Sequence, residues 1–586
     1  MTALRNVSPA AEQPTGSDLI APDCRGLNFW TIDRSLRDLL SLYLDPRVLA
    51  HFTPHLDRLG GIAGGRLDEL AMQADKRTPI LHHRDRFGRD EDWVEYHPAY
   101  REMERIGFGE FGLHAMSRRG GVLGWPDAAP PLAKYALQYV FAQSEFALLC
   151  PLSVTDTSTL LIQKYGNERV KQRFLPGMLS QDMETLLKGA QFMTEKSGGS
   201  DISGISLTAH KAGDHWELWG DKWFCSCADH GVVLLLARCQ GGPAGNAGLS
   251  LFAMPRRLDD GSRNRYRVVR LKDKLGSRSM AAGETIMEGA VAYLLGEPGR
   301  GLKQMMDQVN LSRLSHGFRA AGMMRRCLNE ALQVARHRRT FGRTLIDHPM
   351  ARRQLLKLML PTEQALSVSV AAAVAMTEGD EARLRLLTPL VKYRACRDNI
   401  PVATGAMEMR GGNGYIEDWV NAKLLRDAHL GLLWEGTSSV NALDIIRRAV
   451  GREGAQLALA AALHTRLDQA PIPGQFRGRV AAMLDRAVRF AETVAKRADA
   501  EASYRRAASG LYHAVSAALL AAEGADLGKR GGDAGRLLMA RLVLDHRLGN
   551  ADPFALPDSR FEDAVAAKLL DDAPIALNDA TSLLAA

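Results

Sequence analysis

Apolar residues recur at three- and four-residue spacing over Ser35 to Leu44 and Leu132 to Leu149, which predicts helices in a mainly helical first part reaching to about residue 187. From about Phe192 to Val291 the pattern shortens. Runs such as His215-Trp-Glu-Leu-Trp, Val232-Val-Leu-Leu-Leu and Leu249-Ser-Leu-Phe-Ala alternate with Gly, Asp and Asn turns, as expected of a β domain. Beyond Gly301 the helical period returns. Lys303 to Arg339 sets Met305, Met306, Val309, Leu314, Phe318 and Met323 on a repeating face, and Pro349 to Met376 follows after a short break. Two long neighbouring helices predict a bundle. A Pro-containing stretch, Gln469-Ala-Pro-Ile-Pro-Gly-Gln, is expected to separate that bundle from a final Ala- and Arg-rich helical segment. The predicted fold is α+β, mostly α: a helical unit over 1–187, a β unit over 188–295, a helical bundle over 296–455 and a helical extension over 456–586.

Composition adds little to this picture except by exclusion. A chain of 586 residues is about four times the usual domain, so several packed units are expected. A hydrophobic share of 46% and a charged share of 24% exclude collagen-like, disordered and disulfide-stapled classes. Lys and Arg number 75 against 67 Asp and Glu, a net charge of +8 that would suit an anionic partner once located. Met1 to Gly16 shows neither the basic nor the apolar region of a secretory leader. The longest apolar runs, Gly231 to Ala237 and Val368 to Met376, fall short of the roughly 20 residues a membrane span needs, and no membrane partner is expected. Seven cysteines without a C-x-x-C pair fit a reducing compartment, so buried thiols and a cytoplasmic location are expected.

Common catalytic signatures are missing. No phosphate-binding G-x-x-x-x-G-K-[ST], no G-x-S-x-G, no H-E-x-x-H and no zinc-finger spacing occurs, so no metal is expected. The glycine clusters Gly198-Gly199 and Gly411-Gly412-Asn413-Gly414 do not have the dinucleotide-fold spacing. Four segments carry more information. Met193-Thr-Glu-Lys-Ser-Gly-Gly-Ser-Asp201 sets small hydroxyl residues beside glycines, where backbone N–H groups can approach a ligand; alone it also reads as a turn. Asp221-Lys-Trp-Phe-Cys-Ser226 puts aromatic residues and a hydroxyl on a strand, where an aromatic is also an ordinary core residue. Arg336-His-Arg-Arg-Thr-Phe-Gly-Arg343 is either a phosphate-binding stretch or a basic helix end facing the helix dipole. Glu408-Met-Arg-Gly-Gly-Asn-Gly-Tyr415, Leu425-Arg-Asp-Ala428 and Leu433-Trp-Glu-Gly-Thr-Ser439 complete the set. There Glu435 is either a surface carboxylate or a base whose pKa is raised by the apolar Leu432, Leu433 and Trp434.

Taken together and in order, these segments resemble the acyl-CoA dehydrogenase family of flavoenzymes, whose fold sets a β-barrel or sandwich middle domain between a helical domain and a helical bundle. The resemblance implies FAD as cofactor, an acyl-CoA substrate and Glu435 as the catalytic base that removes the α proton of the thioester. It assigns FAD contacts to Gln191, Met193, Thr194, Ser200, Phe224, Ser226, Arg338, Phe341, Glu408, Gly411, Gly412, Trp434, Thr437 and Ser439. Phe224 would pack on the isoalloxazine, Ser226 would bind near N5, and Arg338 would pair with the pyrophosphate across a subunit interface. Glu408 stands where the family usually has a glutamine, and Ser439 where it has glutamine or asparagine.

Met-Thr-Glu-Lys at 193–196, Leu271-Lys-Asp-Lys-Leu-Gly-Ser-Arg278, Trp434-Glu-Gly and the long C-terminal extension are similar to the AidB-type, alkylation-response branch. That branch implies a homotetramer, feeble activity on isovaleryl-CoA and non-specific binding of double-stranded DNA through the C-terminal region. The extension divides in charge: residues 452–550 hold 15 Lys or Arg against 10 Asp or Glu, whereas residues 551–586 hold 2 against 7. Arg479, Arg486, Arg489, Lys496 and Arg497 recur at helical spacing and could face phosphates. Asp485 and Glu492, four residues before Arg489 and Lys496, could instead pair with them along one solvated face.

Overall fold

The computed structural model describes residues 19–549, 552, 554–556 and 558–585; the stretch Met1 to Gly16, read above for a leader, lies outside them. The first part is helical: α1 (Arg34–Tyr43), α2 (Pro46–Ile62), α3 (Asp68–Asp75), α4 (Pro98–Glu104), α5 (Pro131–Ala142), α6 (Leu149–Tyr165) and α7 (Glu168–Met178). Local chemistry sets the starts. Asp33 accepts the Leu36 N–H to cap α1, and Asp45 caps α2 with Pro46 at its first turn. A hairpin, β1 (Ile80–Arg84) and β2 (Asp90–Glu95), departs from the helical expectation. It carries few apolar residues in sequence order, so periodicity does not reveal it. Its buried Asp92 accepts from Arg263 Nη2 at 2.8 Å and from the Val268 N–H at 3.2 Å, which fastens it to the β unit.

The β unit comprises β3 (Gly189–Phe192), β4 (Thr208–Ala212), β5 (His215–Ser226), β6 (Val232–Cys239), β7 (Leu249–Pro255), β8 (Tyr266–Leu271) and β9 (Ala282–Leu295). β5 pairs with β9, β9 with β7, β7 with β6, and β6 returns through β3 and β4 to β5, which closes a barrel; β8 lies along β9. In β6 the residues Val232 to Ala237 are buried on both faces. Such a run fits a strand with the barrel interior on one side and helix α6, which packs on the neighbouring β3, on the other.

Three long helices form the bundle: α8 (Gly301–His337), α9 (Pro349–Thr377) and α10 (Glu381–Arg410). On the predicted face of α8, Met305, Leu314, Phe318 and Met323 are buried, whereas Met306 and Val309 are half-buried at its rim. α9 is long and apolar enough to cross a membrane by composition, and its apolar length is buried among its neighbours. Short helices α11 (Gly412–Tyr415), α12 (Val420–Leu430) and α13 (Ser438–Leu443) complete this part.

The extension contributes α14 (Ala455–Gln469), α15 (Gly474–Lys496), α16 (Tyr504–Lys529), α17 (Gly535–Val543), α18 (Arg560–Leu569) and α19 (Leu577–Ala585). The Pro-containing stretch at 469–475 therefore joins α14 to α15 inside the extension, and α14 itself packs on α10. A buried ionic network fastens the extension to the bundle. Arg536 of α17 donates to Glu363 Oε2 of α9 at 2.6 Å and to Glu523 Oε2 of α16 at 3.1 Å. Glu523 also accepts from Ser367 Oγ at 2.6 Å and from Tyr43 Oη at 3.0 Å. Arg325 of α8 pairs with Glu363 and, at 3.3 Å, with Asp33. The two arginines hold the Glu363 carboxyl down at about 2 against the opposing effect of its burial.

Candidate active site

Between α12 and α13 the chain turns through residues 431–437, and the backbone there is unusual. Glu435 has φ 54° and Gly436 φ 93°. Glycine reaches that region without strain, but a glutamate there costs about 1–3 kcal/mol and persists only where its surroundings over-determine it. Here they do. Arg313 Nε of α8 donates to the Glu435 carbonyl at 3.2 Å, Lys392 Nζ of α10 donates to the Gly436 carbonyl, and Asn441 Nδ2 donates to the carbonyls of Gly436 at 2.7 Å and Thr437 at 2.9 Å. Asp444 orients Arg313 through Nη1 at 2.8 Å and also receives Arg385 Nη2 at 2.8 Å.

The Glu435 side chain is held separately: Ser312 Oγ donates to Oε1 at 2.9 Å. Burial raises the carboxyl above the usual carboxylate range; the Ser312 hydrogen bond and the charges of Arg313, Lys392 and Arg319 oppose that rise without cancelling it. Burial also pushes the Lys392 ammonium down to about 8. His316 donates from Nδ1 to the Ser312 carbonyl at 2.8 Å, and its burial keeps the ring neutral. The Trp434 ring meets His316 edge-on at 5.6 Å between centroids and lies near-parallel to Phe146 at 6.0 Å. The expectation that Leu433 helps to dry the carboxylate is not met. Leu433 is 64% exposed because the left-handed turn sends it outward, and the bundle helices supply the burial instead.

The residues predicted to bind FAD fall into two sets. On the barrel, β5 alternation puts Phe224 and Ser226 on one face and Cys225 inside. Phe224 is 55% exposed, an open apolar ring beside a half-buried hydroxyl. Gln191 and Met193 are both half-buried, and Gln191 Nε2 contacts Met305 Sδ of α8 at 3.5 Å. Thr194 accepts the Trp223 N–H at its carbonyl at 2.8 Å. Its hydroxyl lies so close to Gly199 that a Cβ there would come within 2.6 Å, so this loop requires glycine at that place. Ser200 is exposed at the loop end. Sequence reasoning missed the pair that holds this loop to its strand. Lys222 Nζ donates to the buried Glu195 Oε1 at 2.9 Å, and Glu195 also accepts the Ser206 and Leu207 N–H groups at 2.7 and 3.1 Å.

In the second set, Arg338 ends α8 exposed, with a guanidinium nitrogen 3.5 Å from where a Cβ on Gly411 would stand. Glu408 and Gly412 are exposed beside it, and Phe341, at φ 50° on the tip of a two-strand hairpin, is 97% exposed. No hydrogen bond or ion pair among the described residues joins this set to the barrel set. Thr437 is half-buried at the start of α13, and Ser439, two residues on, is exposed.

On α15 the expected intrahelical pairs do not form. Asp485 Oδ1 instead meets His464 Nε2 at 2.8 Å and Glu492 Oε1 accepts from Gln456 Nε2 at 2.9 Å, because both acids face α14. Arg479 pairs with Asp545 and Arg497 with Asp499 at 2.7 Å. Arg486, Arg489 and Lys496 stay exposed with no carboxylate partner among the described residues.

Fold and site together define a class: a helical, barrel and helical core with a half-buried carboxylate on a strained turn of the bundle, followed by a helical extension. Residues 20–185 match the AidB N-terminal domain of adaptive response proteins, residues 190–290 the acyl-CoA dehydrogenase middle domain and residues 299–451 the acyl-CoA dehydrogenase C-terminal domain. The chain belongs to the acyl-CoA dehydrogenase family, in its AidB-type branch. Acyl-CoA dehydrogenase family member 11 of Caenorhabditis elegans is 30% identical over 73% of this chain and 71% of its own. The AidB protein of Escherichia coli strain K12 is 31% identical over 65% of this chain and 70% of its own. The solved structure of Caenorhabditis elegans ACDH-11 in complex with C11-CoA superposes with a TM-score of 0.84 at 24% identity, over 97% of this chain and 99% of that one.

Homologues in this family are FAD-dependent flavoproteins. The residues present fit that group: an exposed aromatic ring beside a hydroxyl on β5, a loop in which Gly199 has no room for a Cβ, and an exposed guanidinium suited to pyrophosphate oxygens.

Ser312 stabilises the ionised form of Glu435, so its removal raises that pKa further. In the Ser312→Ala variant the acid limb of the pH profile of flavin reduction is expected to move up by roughly one pH unit. An acid limb that stays in place or moves down would show that Ser312 does not control the titrating group.

Proposed function

We propose that the protein catalyses α,β-dehydrogenation of a short or branched acyl-CoA, with Glu435 as the base that takes the α proton. The observation that carries this reading is a carboxylate held by Ser312 on a turn fixed from α8, α10 and α13 and shifted upward by burial, as proton abstraction from a weak carbon acid requires. Ser312 holds the carboxylate oxygen, and Arg313 and Lys392 hold the two carbonyls that follow it. The Glu435 N–H donates to no acceptor among the described residues, which leaves it for the thioester oxygen, where it would stabilise the developing enolate. When bound, FAD supplies the acceptor for the hydride that leaves the β carbon. Phe224 and Ser226 would face that acceptor. Arg338 and Phe341, exposed and joined to the barrel set by no hydrogen bond or ion pair among the described residues, support a homotetramer in which each reaches a partner's cofactor.

Purified flavin-loaded protein is expected to bleach anaerobically with isovaleryl-CoA. In Glu435→Gln the bleaching rate should fall by roughly 10²–10⁴-fold while FAD stays bound. Unchanged bleaching would overturn the assignment.

A second activity, sequence-indifferent binding of double-stranded DNA in an alkylation response, is supported by the exposed Arg486, Arg489 and Lys496 on α15, which have no carboxylate partner among the described residues. Replacing these three by Gln is expected to flatten the dependence of log K on log salt by about 3 for duplex DNA. An unchanged slope would remove α15 from the interface.

A further inference from the structure

The stripe of α8 that carries Ser312 continues away from Glu435 through Ser315 and Arg319. These residues are buried, and their neighbours are polar. Ser315 Oγ donates to Gln138 Oε1 of α5 at 2.8 Å and lies 3.0 Å from Ser153 Oγ of α6. Arg319 Nε donates to Ser315 Oγ at 3.0 Å, and this is the only hydrogen bond its guanidinium makes among the described residues. Gln138 Nε2 is enclosed and has no hydrogen-bond partner among the described residues.

Arg319 is 1% exposed, and among the described residues no carboxylate lies within ion-pair distance of it. The other buried arginines show how unusual that is. Arg313 pairs with Asp444 at 2.8 Å, Arg325 with Asp33 at 3.3 Å, Arg326 with Asp68 at 2.8 Å, Arg410 with Glu330 at 2.7 Å and Arg536 with Glu363 at 2.6 Å. Burying a charge without a partner is expensive, and removing it from water is repaid only by a counter-ion in good geometry. Lys392, also buried, has only a carbonyl partner. The Cys150 thiol and the Glu435 carboxylate raise the Arg319 pKa, against a burial that pushes the guanidinium down to about 10. Around Glu435, therefore, two buried cations, Arg319 and Lys392, have no ion-pair partner among the described residues.

We propose that Arg319 is a specificity-determining residue that selects an acyl thioester whose chain ends in a carboxylate. The carboxylate would accept the guanidinium's paired donors in bidentate fashion, with Gln138 Nε2 as an added donor. The spacing sets the chain length. Ser312 and Arg319 are seven residues apart, ~10 Å along the helix axis, and a long helical side chain leans back toward the helix N-terminus. Arg319 Nε reaches back to Ser315 Oγ, three residues or ~4.5 Å of rise from Ser312, so with the α carbon at Glu435 a chain of a few methylenes spans the interval that remains. An apolar chain of equal length would leave Arg319 dry and unpaired, so isovaleryl-CoA would be accepted but poorly. The inference rests on the dehydrogenase reading for the position of the thioester.

The test uses full-length flavin-loaded protein, wild type and Arg319→Met, with glutaryl-CoA and adipyl-CoA against valeryl-CoA and hexanoyl-CoA. Binding is read by calorimetry and flavin reduction anaerobically. Wild type should bind the carboxylate-ended thioesters at least tenfold more tightly than the apolar ones of equal length, and Arg319→Met should lose or reverse that order; Arg319→Lys should keep part of it. Wild-type preference for the apolar chain, or an unchanged preference in Arg319→Met, overturns the proposal. The wild-type comparison decides even where a variant does not fold. Carboxylate preference in binding without flavin reduction by any thioester would uphold Arg319 and overturn Glu435 as base. Reduction by isovaleryl-CoA without that preference would do the opposite.

Discussion

The carbonyls of Glu435 and Gly436 each receive a cation from a different bundle helix, Arg313 of α8 and Lys392 of α10, and the turn between α12 and α13 keeps its shape only while those helices keep theirs. Neither cation is free to wander. Arg313 is fixed by Asp444, which Arg385 also binds, so α8, α10 and the segment after α13 are locked together by one carboxylate. A strained glutamate is the product. Released from these anchors, the turn would relax to ordinary backbone and the carboxylate would leave the place where burial raises its pKa.

Charge balance links the rest of the molecule to that turn. Arg325, Arg536, Glu363, Glu523 and Asp33 tie α1, α8, α9, α16 and α17 into one buried network. Charged groups this deep are tolerable only as complete sets, so the extension is a structural buttress of the bundle irrespective of any partner on its outer face. The same rule makes the centre of the bundle informative. There the set is incomplete, with Arg319 and Lys392 lacking acids of their own among the described residues, and a binding site for an anionic molecule is where such an imbalance belongs.

Much of this was legible in the sequence. The periodicity of α8 and α9 and the short apolar runs of β5, β6 and β7 each correspond to an observed element. The hairpin β1–β2 did not show, because its stability comes from Asp92 reaching Arg263 and Val268, more than 170 residues away. Tertiary pairing of charges was equally hidden. Asp485 and Glu492 stand at ideal spacing for helical pairs on α15, yet both turn to α14, since a helix packed on one side has better partners across the contact. At the site, motif order pointed to Glu435 and to the glycine loop, whereas Ser312, Arg313 and Lys392 carry no signature. They lie 123, 122 and 44 residues from the turn that they hold, and only the folded chain brings them to it.

Proton abstraction by Glu435 can be measured without any net oxidation. Incubating the flavin-loaded protein in deuterium oxide with a thioester that cannot lose a β hydride, and following α-carbon deuteration by NMR, isolates the base. Wild type should exchange the α proton and Glu435→Gln should not, with a rate in wild type that rises as pH passes through the raised carboxyl pKa. Equal exchange by the two proteins would contradict the account.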